Sequence, residues 1–395
     1  MLRTAAETVR RRSPQENKVL VISVCLAFAA TTVLTYPVIA FARSKELYDS
    51  VGGRKIHTGK VPRLGGIAIF SGFAVSTIAI LSVRGIPVSG QSASFPTLAL
   101  GAVAIFGLGL FDDLKPIPAR IKLVVQVLVA VAVVADGWRF RGFGIAPDIL
   151  ASGPAWIPVI LTALWIVGVT NAMNLIDGID GLAGGLAAIA SATFGVILLE
   201  AGSPVPALIA FALCGACLGF LVHNFPFPRR SARIFMGDSG SLFLGYALAV
   251  LPLAVSAPAV SMPATAATAA TKSIGLLVPF TVLAIPILDT LNAIRRRTKA
   301  HVSFATADRR HLHHILLGLG LSVWHILALL YSVAVILACA AMLSLRLPLW
   351  EGATLLISGL TMLSLIWMLA YYRHDASPES FTPGEASRAR KVIRK

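Results

Sequence analysis

Charge is scarce in this chain. Asp, Glu, Lys and Arg make up 13% of its 395 residues, against roughly 25% in an ordinary globular domain. Hydrophobic residues make up 56%, and the mean hydropathy is +0.81. A soluble body could not be clothed in polar surface from this composition, and disorder needs the opposite balance. Cysteine is also rare: Cys25, Cys214, Cys217 and Cys339 all fall inside apolar runs. Cys214 and Cys217 form a CxxC without a second pair, which excludes a disulfide framework and argues against zinc. Ionisable groups are nearly absent from the middles of the apolar runs, where a proton- or ion-coupled transporter commonly places them.

What remains is long apolar segments. A bilayer core of roughly 30 Å needs about 20 helical residues to cross it. That length predicts an all-α, polytopic membrane protein with about eleven spans, near 19–41, 64–83, 94–111, 119–136, 155–172, 182–199, 205–223, 239–256, 274–292, 323–345 and 349–372. The first run is too long for the apolar part of a cleavable signal peptide. Residues 1–18 and 373–395 read as basic tails around a catalytic domain over 19–372. The connectors after odd-numbered spans hold 24 of the 34 lysines and arginines, so the positive-inside rule puts them in the cytoplasm. Arg10, Arg11 and Arg12 run against that assignment, and the later loops outweigh them. Basic residues in short loops between spans fit anionic headgroups and phosphorylated substrates; no nucleic-acid partner is expected.

The carboxylates gather at the predicted cytoplasmic ends of spans: Asp112 and Asp113, Asp177 and Asp180, Asp238, and Asp289. Such a distribution describes a site at the membrane surface. In FDDLKPIPARIK, Lys122 opens a helix facing back toward Asp112 and Asp113, although helix capping would also account for a lone acidic pair. In NAMNLIDGIDGL, Asn171, Asn174 and Asp177 recur every third residue and share a helical face, with Asp180 beyond a glycine. Four polar groups exceed what a helix end needs, and their oxygens are of the hard kind that Mg²⁺ prefers. Asp238 in FMGDSGS is a further oxygen ligand candidate or a simple N-cap, and Phe235 beside it is a base-stacking or interfacial aromatic. The connector HTGKVPRLGG offers Lys60 and Arg63 to phosphate. In DRRHLHH, Arg309, Arg310, His311, His313 and His314 supply cations and hydrogen bonds. The three histidines cannot share one metal from a single helix.

In order, HTGKVPRLGG, GLGLFDDL, NAMNLIDGIDGL, FMGDSGS and DRRHLHH resemble the motifs of the polyprenyl-phosphate N-acetylhexosamine-1-phosphate transferases of glycosyltransferase 4 type. The resemblance covers about Gly53 to Gly320. It implies a bacterial inner-membrane enzyme that moves a sugar 1-phosphate from a UDP-aminosugar to undecaprenyl phosphate, releases UMP, and begins a lipid-linked cell-envelope polysaccharide. It also implies Mg²⁺, with Mn²⁺ as a substitute, held by Asn174 and Asp238. Asp112, Asp113 and Lys122 would then serve the lipid phosphate, and Asp177 and Asp180 the diphosphate and nucleoside. Lys60, Arg63 and the histidine cluster would contact phosphates or sugar, and a homodimer is compatible with such a chain. Val61 to Gly66 departs from the Thr-Pro-Thr-Met-Gly-Gly stretch of the phospho-N-acetylmuramoyl-pentapeptide transferases, and HLHH from their three consecutive histidines. Both departures point to the UDP-N-acetylglucosamine branch. The alternatives are another UDP-aminosugar, UDP-N-acetylmuramoyl-pentapeptide, or a transporter of a phosphorylated compound.

Overall fold

A computed structural model describes residues 14–48, 61–84, 95–140, 154–226, 231–256, 275–301 and 310–375. Among them there is no strand, only one isolated bridge between Tyr48 and Pro62. In chain order the helices are α1 Pro14–Ser44, α2 Gly65–Arg84, α3 Phe95–Leu114, α4 Ala119–Ala135, α5 Trp156–Ile176, α6 Leu182–Glu200 and α7 Pro204–Asn224. They continue as α8 Gly237–Val250, α9 Leu253–Ser256, α10 Leu277–Val282, α11 Ala284–Lys299, α12 Leu312–Gly318, α13 Val323–Ser344 and α14 Leu349–Asp375.

Each of the eleven predicted spans falls on helix. Eight helices among the described residues (α1, α2, α3, α5, α6, α7, α13 and α14) are long and apolar enough to cross a bilayer by length and composition. The chain is a multi-pass membrane protein. The other three regions are shorter or interrupted. Helix α4 has 17 residues. The predicted span 239–256 divides into α8 and α9 just before Pro252, and 274–292 divides into α10 and α11 at Leu283, with φ −102° and ψ 18°. Pro286 lacks the N–H that would bond the Val282 carbonyl, so the helix cannot run straight through.

The core sits in α6, α7 and α8. Every residue of α8 from Ser239 to Val250 is buried, whereas α1, α3, α4 and α14 expose large apolar side chains such as Phe28, Leu100, Leu128 and Leu369. Outward apolar faces of this extent suit lipid rather than water. Close approach replaces hydrophobic segregation as the packing device between helices in a bilayer. Accordingly, Gly215 and Gly219 of α7 lie against the α1 backbone at Val24 and Phe28, and Gly72 of α2 lies against Thr31. The end of α3, the starts of α2, α4 and α8, and the end of α5 meet at one end of the bundle, where the acidic motifs are.

Candidate active site

The site is organised by the first turn of α8. Its approach, residues 231–236, is held on three sides. Phe235 N–H donates to the Pro62 carbonyl (2.7 Å), and the Gly65 and Gly66 amides donate to the Phe235 and Met236 carbonyls (2.9 and 2.8 Å). The Asn224 side chain donates to Ile234 (2.9 Å) and accepts from Gly181 N–H (2.8 Å). The Asp180 carboxylate, buried, accepts from Ala232 N–H (2.9 Å). Gly237 then turns the chain with φ +75°, where a side chain would meet the Arg63 carbonyl and the Asp113 carboxylate. Gly66 and Gly109 bring the α2 and α3 backbones against the same turn.

Asp113 belongs to that framework. Its buried carboxylate accepts from the amides of Asp238 (2.8 Å) and Ser239 (3.0 Å) and from the Ser239 hydroxyl (2.6 Å). It caps α8 from a different helix, with its charge placed at the favourable N-terminal end of the helix dipole. Arg63 donates to the Asp113 backbone carbonyl and ties the α2 approach to the same point.

Asp112, its neighbour, faces the open side. One oxygen accepts from Ile117 N–H (2.7 Å) and the other pairs with Lys122 Nζ (3.1 Å). Lys122 also pairs with Asp238 (2.9 Å), so one ammonium joins carboxylates from α3 and α8. All three side chains keep some solvent access, 22% for Lys122, 16% for Asp112 and 28% for Asp238, which leaves the cluster open to a ligand.

Helix α5 adds amides. Asn174 donates to Ser241 Oγ (2.9 Å), which donates to the Gly237 carbonyl (3.0 Å), so Asn174 is fixed one turn above Asp238. Asn171 points elsewhere: it pairs with Gln126 of α4 and donates to Val167 O (2.8 Å). Asp177, at the C-cap of α5, has its pKa raised to about 8, first by burial and then by the nearby charges of Asp238, Asp180 and Asp113. A cluster of carboxylates that raises a member's pKa in this way has a deficit of positive charge.

The histidine motif closes onto the same turn. Asp289 of α11, buried, accepts from Leu312 N–H (2.9 Å) and bonds His311 Nδ1 (2.8 Å). The His313 ring packs on Gly178 between Asp177 and Asp180, and neither ring nitrogen has a partner among the described residues. Burial, with His314 and His311 alongside, lowers its pKa to about 3, so it is neutral. His314 lies against His313 with ring centroids 4.3 Å apart. Arg310 turns away and donates to Tyr371 of α14 (3.1 Å). Lys60 and Arg309 lie outside the described residues.

A family model described as glycosyl transferase family 4 matches residues 95–256, which hold the acidic cluster from Asp112 to Asp238. The chain is 32% identical over 333 residues to the "Probable undecaprenyl-phosphate N-acetylglucosaminyl 1-phosphate transferase" of Bacillus subtilis, covering 84% of this chain and 86% of that one. It is 37% identical over 300 residues to the decaprenyl-phosphate N-acetylglucosaminephosphotransferase of Mycobacterium tuberculosis, 70% of each chain. The undecaprenyl-phosphate alpha-N-acetylglucosaminyl 1-phosphate transferase of Escherichia coli K12 is 28% identical over 320 residues, 80% of this chain and 82% of that one. The chain belongs to glycosyl transferase family 4.

Within this family member, four polar residues of the site escape a motif-based reading. Gln126, Asn224, Ser239 and Ser241 all hold or orient residues named from the motifs, and Asp289, expected only as one of the carboxylates at span ends, proves to orient His311. Gln126 had a visible signal, as a lone polar residue in an apolar run. Ser239 and Ser241 resemble ordinary helix-start serines until their partners on α3 and α5 are known. Among the described residues, no three His, Cys, Asp or Glu side chains form a group that could hold a metal by themselves.

Proposed function

We propose that this protein transfers N-acetylglucosamine 1-phosphate from its UDP ester to undecaprenyl phosphate at the cytoplasmic face of a bacterial inner membrane. The products are UMP and a lipid-linked sugar diphosphate that starts a cell-envelope polysaccharide. The single observation that carries this reading is the Asp112–Lys122–Asp238 bridge beside Asn174, in a chain similar along most of its length to transferases of that name.

The oxygen set fits Mg²⁺, or Mn²⁺ in its place. That class of site takes one or two protein oxygens and completes its shell with water and substrate phosphate. Asp238 offers a carboxylate, and Asn174 has its amide nitrogen engaged by Ser241, which leaves its carbonyl oxygen for a cation. Bound there, the ion would neutralise charge spread over the diphosphate oxygens.

A phosphate oxygen of the lipid attacks the phosphorus attached to the sugar, and the bond to the UMP oxygen breaks. Lys122 sits between Asp112 and Asp238 and can pass from a carboxylate pair to a lipid phosphate, which Asp112 then orients through the same ammonium. Asp113 has its oxygens engaged by α8 and acts as a positioning residue, not as a base. With a second pKa near 6, the lipid phosphate needs little help losing its last proton. The unpartnered His313 packs on Gly178, the residue after Asp177, a suitable place for diphosphate or sugar oxygens. Asp180, through the 231–233 segment, and His311, through Asp289, hold that pocket's walls.

The test is UMP release by purified protein in nanodiscs with Mg²⁺, undecaprenyl phosphate and a panel of UDP-sugars. UDP-N-acetylglucosamine should be the best donor, with UDP-N-acetylmuramoyl-pentapeptide inactive. UMP release from none of the panel would overturn the reading.

A further inference from the structure

A pocket that shares no residue with the acidic cluster lies between α11 and α14. Its volume is about 440 Å³. Helix α11 contributes Leu288 and Leu291 and, further along, Arg295, Arg296 and Lys299, while α14 contributes Leu365, Met368 and Tyr371 with the polar Thr361 and Ser364 beside them. The α11 wall therefore runs from leucines to cations along the helix. Seven to eleven helical residues separate Leu288 from Arg295 and Lys299, about 10–16 Å along the axis. Leu291, Leu365 and Met368 are exposed on the outward face, so the pocket is open to the bilayer.

Arg295 and Lys299 form no ion pair among the described residues, and Arg296 lies over the Tyr371 ring at 5.9 Å. A row of cations at a helix end, above an apolar slot facing the hydrocarbon, is complementary to a molecule with a phosphate head and an aliphatic chain. We propose that an anionic phospholipid of the bilayer occupies this pocket, its phosphate at Arg295 and Lys299 and an acyl chain along Leu288, Leu291, Leu365 and Met368.

The occupant would touch the scaffold of the histidine motif from behind. Tyr371 accepts from Arg310, which immediately precedes His311, and His311 is bonded to Asp289 one residue from Leu288. A lipid that bridges α11 and α14 therefore closes a ring of contacts around residues 310–312 and stiffens them. This consequence for turnover rests on the function proposed above; the binding site itself does not.

Native mass spectrometry of the purified protein, titrated with phosphatidylglycerol, phosphatidylcholine or undecaprenyl phosphate, separates the outcomes. Phosphatidylglycerol should bind with saturable affinity, weakened by salt, and the double variant Arg295→Gln/Lys299→Gln should weaken it by roughly tenfold. The matched control Arg43→Gln/Lys45→Gln, on the exposed end of α1, should not. Thermal melting in nanodiscs gives a readout independent of catalysis: phosphatidylglycerol should raise the midpoint of the wild type and of the control, and not of the Arg295/Lys299 variant. Equal binding of phosphatidylcholine, equal loss in the control, or preference for undecaprenyl phosphate over phosphatidylglycerol would each overturn the assignment.

Discussion

The two ends of α8 are about 20 Å apart and have opposite chemistry. At its first turn, side chains from α3, α4 and α5 engage or adjoin Asp238, Ser239 and Ser241. At its last turns, Tyr246, Val250 and Leu251 line an apolar cavity of about 210 Å³ with Phe73, Leu98 and Ile209. The side-chain hydrogen bonds described there run only to backbone carbonyls, from Tyr246 Oη to Leu98 O (3.1 Å) and from Trp165 Nε1 to Ala249 O (2.9 Å). The same helix thus has one end built for charge and one end that packs. Polar groups are costly inside a bilayer, and here they are confined to the end where phosphate chemistry would repay their desolvation.

Substitutions at the two ends should therefore differ in kind. Asp238→Ala should lower transfer by roughly a thousandfold or more while leaving the amount of protein in the membrane unchanged. Near-normal UMP release from the purified variant would remove Asp238 from the chemistry. Asp113→Asn keeps the shape but loses one acceptor of a buried cap, so it should cost about 2 kcal/mol of stability as well as activity. A variant that melts like the wild type would show that α8 does not depend on this cap.

The pH response should sharpen the contrast, because only the polar end titrates. Asp177 has its pKa raised to about 8, so the metal-free folded protein holds a proton that the unfolded chain releases near 4. Its contribution to stability is full below about 4 and is lost as pH rises to about 8. His313, lowered to about 3 in the fold, still loses its unfolded-state proton at about 6.5. Asp113, raised to about 6, ionises just below that, so the slope between about 7.5 and 8 is the part that belongs mainly to Asp177. Mg²⁺ should bind more tightly as pH rises through this window, with proton release measurable by calorimetry in buffers of different ionisation enthalpy. Binding independent of pH from 6.5 to 8.5 would separate Asp177 from the cation. The smallest effect belongs to the apolar end: Tyr246→Phe should cost about 1 kcal/mol in melting experiments and leave turnover unchanged.

Much of this molecule is legible from its residues. Apolar run lengths located every helical region except the short α12, and motif spacing named Asp112, Lys122, Asn174 and Asp238, which the fold does assemble around α8. The breaks at Pro252 and Pro286 were also readable, since a missing N–H interrupts any helix, yet run length alone passes over them. Asn171 and Asn174 share a helical face in the sequence, but α4 and α8 lie against different parts of that face and divide the two between separate partners.

By itself the sequence determined that the chain belongs in a bilayer, since there is too little charge to cover a soluble surface, and that its acids stand at helix ends. Only the tertiary structure decided which of two adjacent carboxylates is structural. Asp112 and Asp113 are chemically identical and consecutive, but successive residues on a helix point about 100° apart. That angle turns Asp113 into the start of α8 and leaves Asp112 facing Lys122.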